Sequence, residues 1–359
     1  MHNTIKKERN IKLDLIRFSG VLIIMIAHSS PPSWLFQLRN FGTPLLILGS
    51  ALTYSFIYKN RSINKREFFK KRLKRLIIPL WVFLTFFFLF FWIASLIIQK
   101  DYPFSTMRIF NSYNLYHGIG FVWIFKVYII LALITPFGLK ISYSKISNLK
   151  YFVSLIILYL FYEISMYYFF HSIPDGLKDL ISQFFLIIIP YSALFFYGLR
   201  LHTLSNRNIA IIIVTSFIIF MLLAFQKYNE FGIFIPTQGY KYPPTLYYLS
   251  YAFFFINLIY FFVMKCIRLT EPKKNKIIIW LSTNSLWIYL WHIFAYYLWE
   301  FLVGRLISPE IFGSFGKFLI NTCFLLIFGV VMTLIQIDQV DKLTIKSSTS
   351  SKKALSLLK

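Results

Sequence analysis

Leu13-Asp14-Leu15-Ile16-Arg17-Phe18-Ser19-Gly20 opens an apolar run that continues through Val21 to Ala27, reaches His28 and stops at Pro31-Pro32. The run is long enough for a helix that crosses a lipid bilayer. Its ionisable side chains oppose that setting, because an Arg or Asp at the bilayer centre costs roughly 2.5–3.5 kcal/mol even on insertion scales. An eleven-residue step returns to nearly the same face of an α-helix, about 16 Å along its axis. Arg17 and His28 are therefore expected on one polar line facing the protein interior. Asp14, one turn before Arg17, is spaced to pair with it.

The same apolar character recurs along the whole chain. Of its 359 residues 58% are hydrophobic and only 14% charged, which excludes a soluble globular protein. Hydropathy predicts an all-α, polytopic integral membrane protein with about ten transmembrane helices, at 13–30, 40–58, 76–98, 119–139, 151–170, 180–200, 209–226, 245–267, 277–299 and 317–337. The formal charge of +25 suggests nucleic acid until its distribution is examined: 27 of the 38 Lys and Arg fall in segments on the N-terminal side of the membrane. By the positive-inside rule both termini are expected in the cytoplasm, and the excess charge becomes a topology signal and an attraction to anionic lipid, with no nucleic-acid partner.

Three regions are expected: a cytoplasmic N-terminus at 1–12, a membrane domain at 13–337, and a Ser/Lys-rich cytoplasmic tail at 338–359 without fixed structure. Asp14 and Arg17 interrupt what otherwise resembles a signal peptide, so the first span is expected to stay in the mature protein. Two cysteines, Cys266 and Cys323, offer neither a disulfide framework nor a metal site and are expected as reduced packing residues. No metal is expected. The basic run from Lys59 to Arg75 serves topology and headgroup anchoring on composition alone. Arg72 and Arg75, one turn apart, also suit the oxygens of a phosphorylated cytoplasmic ligand. Two loops on the opposite side, 99–118 and 226–244, carry amides, hydroxyls and aromatic rings, including Tyr242, which suit either a sugar or a membrane interface.

His28 is expected near one membrane face and Arg17 near the other. Imidazole is the side chain best matched to taking and returning a proton near neutral pH. The arrangement suggests a path with a cationic entrance at one end and a general base at the other. The chain contains no P-loop, no H-E-x-x-H and no G-x-S-x-G elbow, so phosphoryl transfer, zinc proteolysis and α/β-hydrolase chemistry have no support.

These residues resemble the membrane-bound acyltransferases of the acyltransferase-3 type, which include polysaccharide and peptidoglycan O-acetyltransferases. Arg17 and His28 match that family's R-x10-H motif. Lys71-Arg72-Leu73-Lys74-Arg75-Leu76-Ile77-Ile78-Pro79 resembles its basic R-x-x-R stretch running into Pro. Trp123-Ile124-Phe125 with Tyr128 and Pro136 resembles its aromatic fourth span, and Asn284-Ser285-Leu286-Trp287-Ile288-Tyr289-Leu290-Trp291-His292 its late signature. The chain departs from the family in having Gly-Phe-Val before Trp123, where many members place a His.

The resemblance implies transfer of an acyl group, usually acetyl, from cytoplasmic acyl-CoA to a glycan hydroxyl at or beyond the outer face of a bacterial plasma membrane. Arg72 and Arg75 would bind the CoA phosphates. Arg17, with Asp14, would line the entrance, and His28 would deprotonate the hydroxyl or carry the acyl group. Trp123, Tyr289 and His292 would meet the acceptor, a cell-surface polysaccharide or lipid-linked glycan, together with Tyr242 from the loop 226–244. The competing reading from composition is a lipid-linked glycan exporter or polymerase-like protein. A polymerase should show a larger outer loop than any here.

Overall fold

The computed structural model describes residues 9–59, 63–268, 275–303, 309–346, 352 and 355–358. Parts of the expected N-terminal segment 1–12, the basic run 59–75, the segment 268–276 and the tail 338–359 lie outside them. The described chain is all-α, with a single isolated bridge between Lys241 and Pro244. Its helices are α1 Ile11–His28, α2 Ser33–Leu38, α3 Gly42–Tyr58, α4 Lys65–Ile97, α5 Thr106–Tyr113, α6 Trp123–Ser142, α7 Asn148–Phe169, α8 Asp175–Arg200, α9 Asn206–Phe231, α10 Leu246–Lys265, α11 Lys276–Thr283, α12 Ser285–Phe301 and α13 Pro309–Lys346.

Among the described residues, eight helices are long and apolar enough to cross a membrane, or nine if the broken pair α11–α12 forms one span. The protein is a multi-pass membrane protein. α1 stands outside that count because Lys12, Asp14 and Arg17 share its 18 residues. Exposed Leu149, Ile156, Ile157 and Phe161 on α7, and Ile211, Val214, Ile218 and Leu222 on α9, form apolar faces that water would not tolerate and lipid would.

Nine of the ten expected spans each coincide with a helix, whereas 277–299 covers two, α11 and α12, bent by 69° where they meet; the ends differ for local reasons. α1 begins at Ile11 because Asn10 caps it, its side chain accepting from Lys12 N–H at 3.1 Å. It ends at His28 because Ser30 adopts a left-handed φ of 57° and two prolines follow. α4 starts eleven residues before the expected span, at Lys65: Asn64 accepts from Glu67 N–H at 3.2 Å, so Arg72 and Arg75 lie on a continuous helix rather than in a loop. α13 runs to Lys346, past the expected boundary at 337. Cys266 and Cys323 are free and exposed on their helices, which corrects the expectation that they pack inside.

The chain divides into two compact units, Met1–Ser62 with Thr135–Thr283 and Ile63–Ile134 with Asn284–Lys359. In the first, α3 is the central helix, packed between α1 and α8. Glycine permits the close approach to α1: a Cβ on Gly20 would lie 2.8 Å from Leu46 N, and one on Gly49 would lie 3.0 Å from Arg17 Cα. With Gly42 against Ile23 and Ile24, these contacts run in opposite order along the two helices, so α1 and α3 are antiparallel. The start of α3 sits beside the His28 end of α1, and Gly49 beside Arg17.

The second unit is built on an aromatic ladder. Phe83, Phe87 and Phe91 recur one turn apart on α4; Phe83 meets Trp291 of α12, and Phe87 and Phe91 meet Phe294 and Tyr297, together with Phe104, in edge or tilted contacts. Trp291 Nε1–H of α12 donates to Gln336 Oε1 of α13 at 2.7 Å.

The glycine contacts predict the outcome of a single methyl group. Gly20→Ala must displace the Leu46 backbone and should cost about 1–3 kcal/mol. Gly120→Ala, with nothing within 4 Å of its new Cβ, should be neutral. Melting temperatures of the two purified variants beside wild type check this.

Candidate functional site

Asp14 is the hub of the Arg17 end of α1. Its carboxylate is buried and accepts from Arg9 Nε at 2.5 Å, from Arg9 Nη2 at 3.0 Å, and from Ser282 Oγ at 2.9 Å. Arg17 Nη2 lies 3.9 Å from Asp14 Oδ1, donates to Ser282 Oγ at 2.8 Å, and bonds the Ser282 carbonyl. Arg9 also donates to Thr283 Oγ1 at 2.8 Å. Lys12 Nζ reaches the Met264 carbonyl at 2.7 Å, on the last turn of α10, where a cation is favoured by the carbonyl ends of the helix.

The expected Asp14–Arg17 contact is therefore present, but as the longer of Asp14's two ion pairs. Arg9 and Ser282 were not anticipated. Arg9 had been counted only as a topology charge. Ser282 lies in the polar interruption Ser282-Thr283-Asn284-Ser285, just ahead of the late signature, and that interruption was its available signal. Three-quarters of the Arg17 side chain is out of solvent, its guanidinium held against the end of α11.

His28 is the last residue of α1 and is half-buried. Three helical turns of regular α1 separate it from Arg17, which keeps the two on one face about 16 Å apart along the axis. Beyond His28, the connection to α3 folds against the loop before α10. Gln37 Nε2–H and Asn40 Nδ2–H donate to Thr237 Oγ1 at 3.0 and 2.8 Å, and the Tyr251 hydroxyl bonds the Gln37 and Leu38 carbonyls at 3.0 and 2.9 Å. On α7, Glu163 accepts from the Tyr159 hydroxyl at 2.8 Å and from Leu246 N–H at 3.0 Å, so it caps α10.

Tyr242 lies in that loop with its ring partly exposed. Its neighbour Lys241 is buried and is pushed down from 10.5 to about 7, first by burial and then by the charge of Arg39.

The other sequence-derived residues belong to the second unit. Arg72 is half-buried with its guanidinium over the Phe68 ring at 5.5 Å, and Arg75, one turn later on α4, is exposed. Trp123 opens α6 and is partly exposed. Tyr289 is buried, its hydroxyl donating to the Phe121 carbonyl at 2.8 Å. His292 is fully buried, with Nδ1–H donating to the Tyr289 carbonyl. Both side chains are thus tied into the packing of α12. Among the described residues no group of three His, Cys, Asp or Glu could hold a metal ion.

A family model described as an acyltransferase domain, the acyltransferase-3 family, matches residues 10–336. No curated protein and no solved structure matches the chain.

Two outcomes follow from this geometry. Asp14→Ala removes the acceptor shared by Arg9, Arg17 and Ser282 and leaves a partly buried guanidinium without its carboxylate. It should cost about 3 kcal/mol, read as a fall in denaturant midpoint. For Lys241 the folded value lies below the unfolded one, so the unfolded chain holds a proton that the folded protein has released between pH 7 and 10.5. Stability should therefore rise with pH across that window. Melting temperature should climb from about pH 6.5 to about pH 9.5 more in wild type than in Lys241→Met.

Proposed function

The chain belongs to the acyltransferase-3 family of membrane acyltransferases, and from that premise we propose that it moves an acetyl group from cytoplasmic acetyl-CoA to a hydroxyl of a cell-surface polysaccharide or lipid-linked glycan. The observation that carries this reading is on α1, where a guanidinium in the second turn and an imidazole at the last residue share one face three turns apart. A donor carrying phosphates and an acceptor carrying a hydroxyl need opposite chemistries, and α1 offers one at each end. In this reading ten spans cross a bacterial plasma membrane, counting α1 and the pair α11–α12. Both termini lie in the cytoplasm, as the distribution of Lys and Arg supports.

The roles follow from the side chains. Arg72 and Arg75, one turn apart on α4, take the phosphates of CoA through their guanidinium forks. Arg17 lines the donor's entrance, with Asp14 and Ser282 fixing its guanidinium so that little rotamer freedom is lost when the donor arrives. His28 takes the proton of the acceptor hydroxyl. The oxygen attacks the thioester carbonyl, the C–S bond breaks, and the thiolate of CoA leaves and recovers a proton. Trp123, Tyr289 and His292 are assigned to the acceptor by the resemblance, and Tyr242 by the aromatic, hydroxyl-bearing loop in which it lies. Of these, part-exposed Trp123 and Tyr242 are better suited to direct contact than the buried Tyr289 and His292.

The test is transfer of labelled acetyl from acetyl-CoA to isolated surface glycan by purified protein in nanodiscs. His28→Ala should lower kcat by about 10²–10⁴, the usual worth of a general base. Arg72→Ala and Arg75→Ala should raise the KM for acetyl-CoA while leaving that for the glycan unchanged. Equal labelling by His28→Ala and wild type would overturn the mechanism.

A further inference from the structure

Arg39 and Lys241, both of the first unit, are buried with no carboxylate paired to either among the described residues. Arg39 follows α2 and is 8% exposed, and Lys241, in the loop before α10, is 7% exposed. Arg39 stacks its guanidinium on the Phe36 ring at 3.8 Å, and Lys241 Nζ lies 5.2 Å from the centre of the Tyr242 ring. Among the described residues neither side chain has an ion pair or a hydrogen-bond acceptor, and Arg39 Nε is buried with no partner. The groups acting electrostatically on Arg39 are the phenols of Tyr248, Tyr242 and Tyr251, and the charge acting on Lys241 is that of Arg39 itself.

A guanidinium and an amine withdrawn from water, the charge of the first acting on the second, are costly for a fold to hold. Such a pair is retained where an anion completes it. Nearby acceptors are also unfilled: Asn40 Oδ1, on the residue after Arg39, and Gln238 Oε1, in the turn closed by Lys241 N–H to the Gln238 carbonyl, are buried with no donor among the described residues. Cations without an anion beside acceptors without a donor suit a ligand that has both a negative group and hydroxyls. The pair also has a defined place. Gly42, three residues after Arg39, packs on Ile23 and Ile24, so Arg39 belongs to the His28 end of α1 and not to the Arg17 end.

We propose that Arg39 and Lys241 form a binding site for the phosphate or carboxylate of an anionic sugar, at the end of the first unit where α1 presents His28. Identifying that sugar as part of the acceptor rests on the acyl-transfer reading; the anion site itself does not. The guanidinium fork of Arg39 takes two oxygens of the anion, Lys241 neutralises the remaining charge, and Asn40 and Gln238 accept from neighbouring hydroxyls. An acceptor held this way presents a particular hydroxyl, so the site would select glycans bearing uronic acid or phosphate over neutral ones.

The experiment is calorimetric titration of the full chain, in phosphatidylcholine nanodiscs with saturating CoA, using glucose 1-phosphate, glucuronate and glucose as probes. CoA occupies the donor's phosphate site and removes it from the measurement. Wild type should bind one or both anionic sugars saturably and glucose at least tenfold more weakly. Arg39→Gln and Lys241→Gln should each weaken the anionic sugars at least tenfold, and Arg39→Lys should restore part of the loss. Melting temperatures confirm that the variants are folded. Repeating the titration in phosphatidylglycerol nanodiscs separates the sources of the anion: displacement of the sugar phosphate assigns the site to a lipid headgroup, and unchanged binding assigns it to the glycan. Absence of saturable binding to wild type, or equal binding by folded Arg39→Gln and Lys241→Gln, overturns the proposal. CoA binding and acetyl transfer are measured separately, so loss of either leaves this result standing, and the reverse holds.

Discussion

Everything at one end of the first unit depends on a carboxylate that is not left alone. Asp14 is buried in an otherwise apolar helix, where an unpaired charge would shift the chain out of the membrane before it could do chemistry. Arg9, Arg17 and Ser282 supply donors to it or beside it, and they come from the start of α1, its second turn and the end of α11. The network fastens α11 to α1 and fixes the Arg17 guanidinium. It converts three costly groups into a positioned one. The hydroxyl of Ser282 matters because it accepts from Arg17 and donates to Asp14 at once, linking the two charged groups.

That anchor also orients the rest of α1. Glycines at positions 20, 42 and 49 let α1 and α3 approach nearly backbone to backbone, so His28 is delivered to a fixed place relative to α3 and the connection carrying Arg39. The polar contacts of Gln37, Asn40 and Tyr251 then fasten that connection to the loop before α10. One end of α1 is held by charge and hydrogen bonds. The other is held by close packing and by carbonyls offered to a tyrosine. The separation between Arg17 and His28 is set by the helix itself.

Much of this was legible in the chain. Apolar runs located the long helices but not the short α2 and α5 or the break between α11 and α12, because crossing a bilayer requires about 20 apolar residues with their backbone groups satisfied internally, and that is a local property. The Arg17–His28 spacing gave their shared face from helix geometry alone. The start of α4 at Lys65 was less visible: charges mark the membrane edge but do not stop a helix, and the cap at Asn64 extended it beneath the basic run. The cysteines were misjudged for a related reason, since a helix surrounded by lipid can present a small thiol outward at little cost. Arg39 and Lys241 were invisible as a pair. Each was an ordinary loop or helix-end cation until folding brought them together and excluded water.

The sequence by itself determined that this is a membrane protein, where its helices lie, and that one of them carries a guanidinium and an imidazole on a common face. These follow from hydropathy and helical period, which act between residues close in the chain. Only the tertiary structure decided that Arg9 takes the nearer share of Asp14, that Ser282 bridges Asp14 and Arg17, that His292 is packed into α12 and that Arg39 and Lys241 are both buried, the charge of one acting on the other. Those outcomes join residues far apart in sequence. They depend on which helices pack together and which charges lose their water, and no local pattern encodes either.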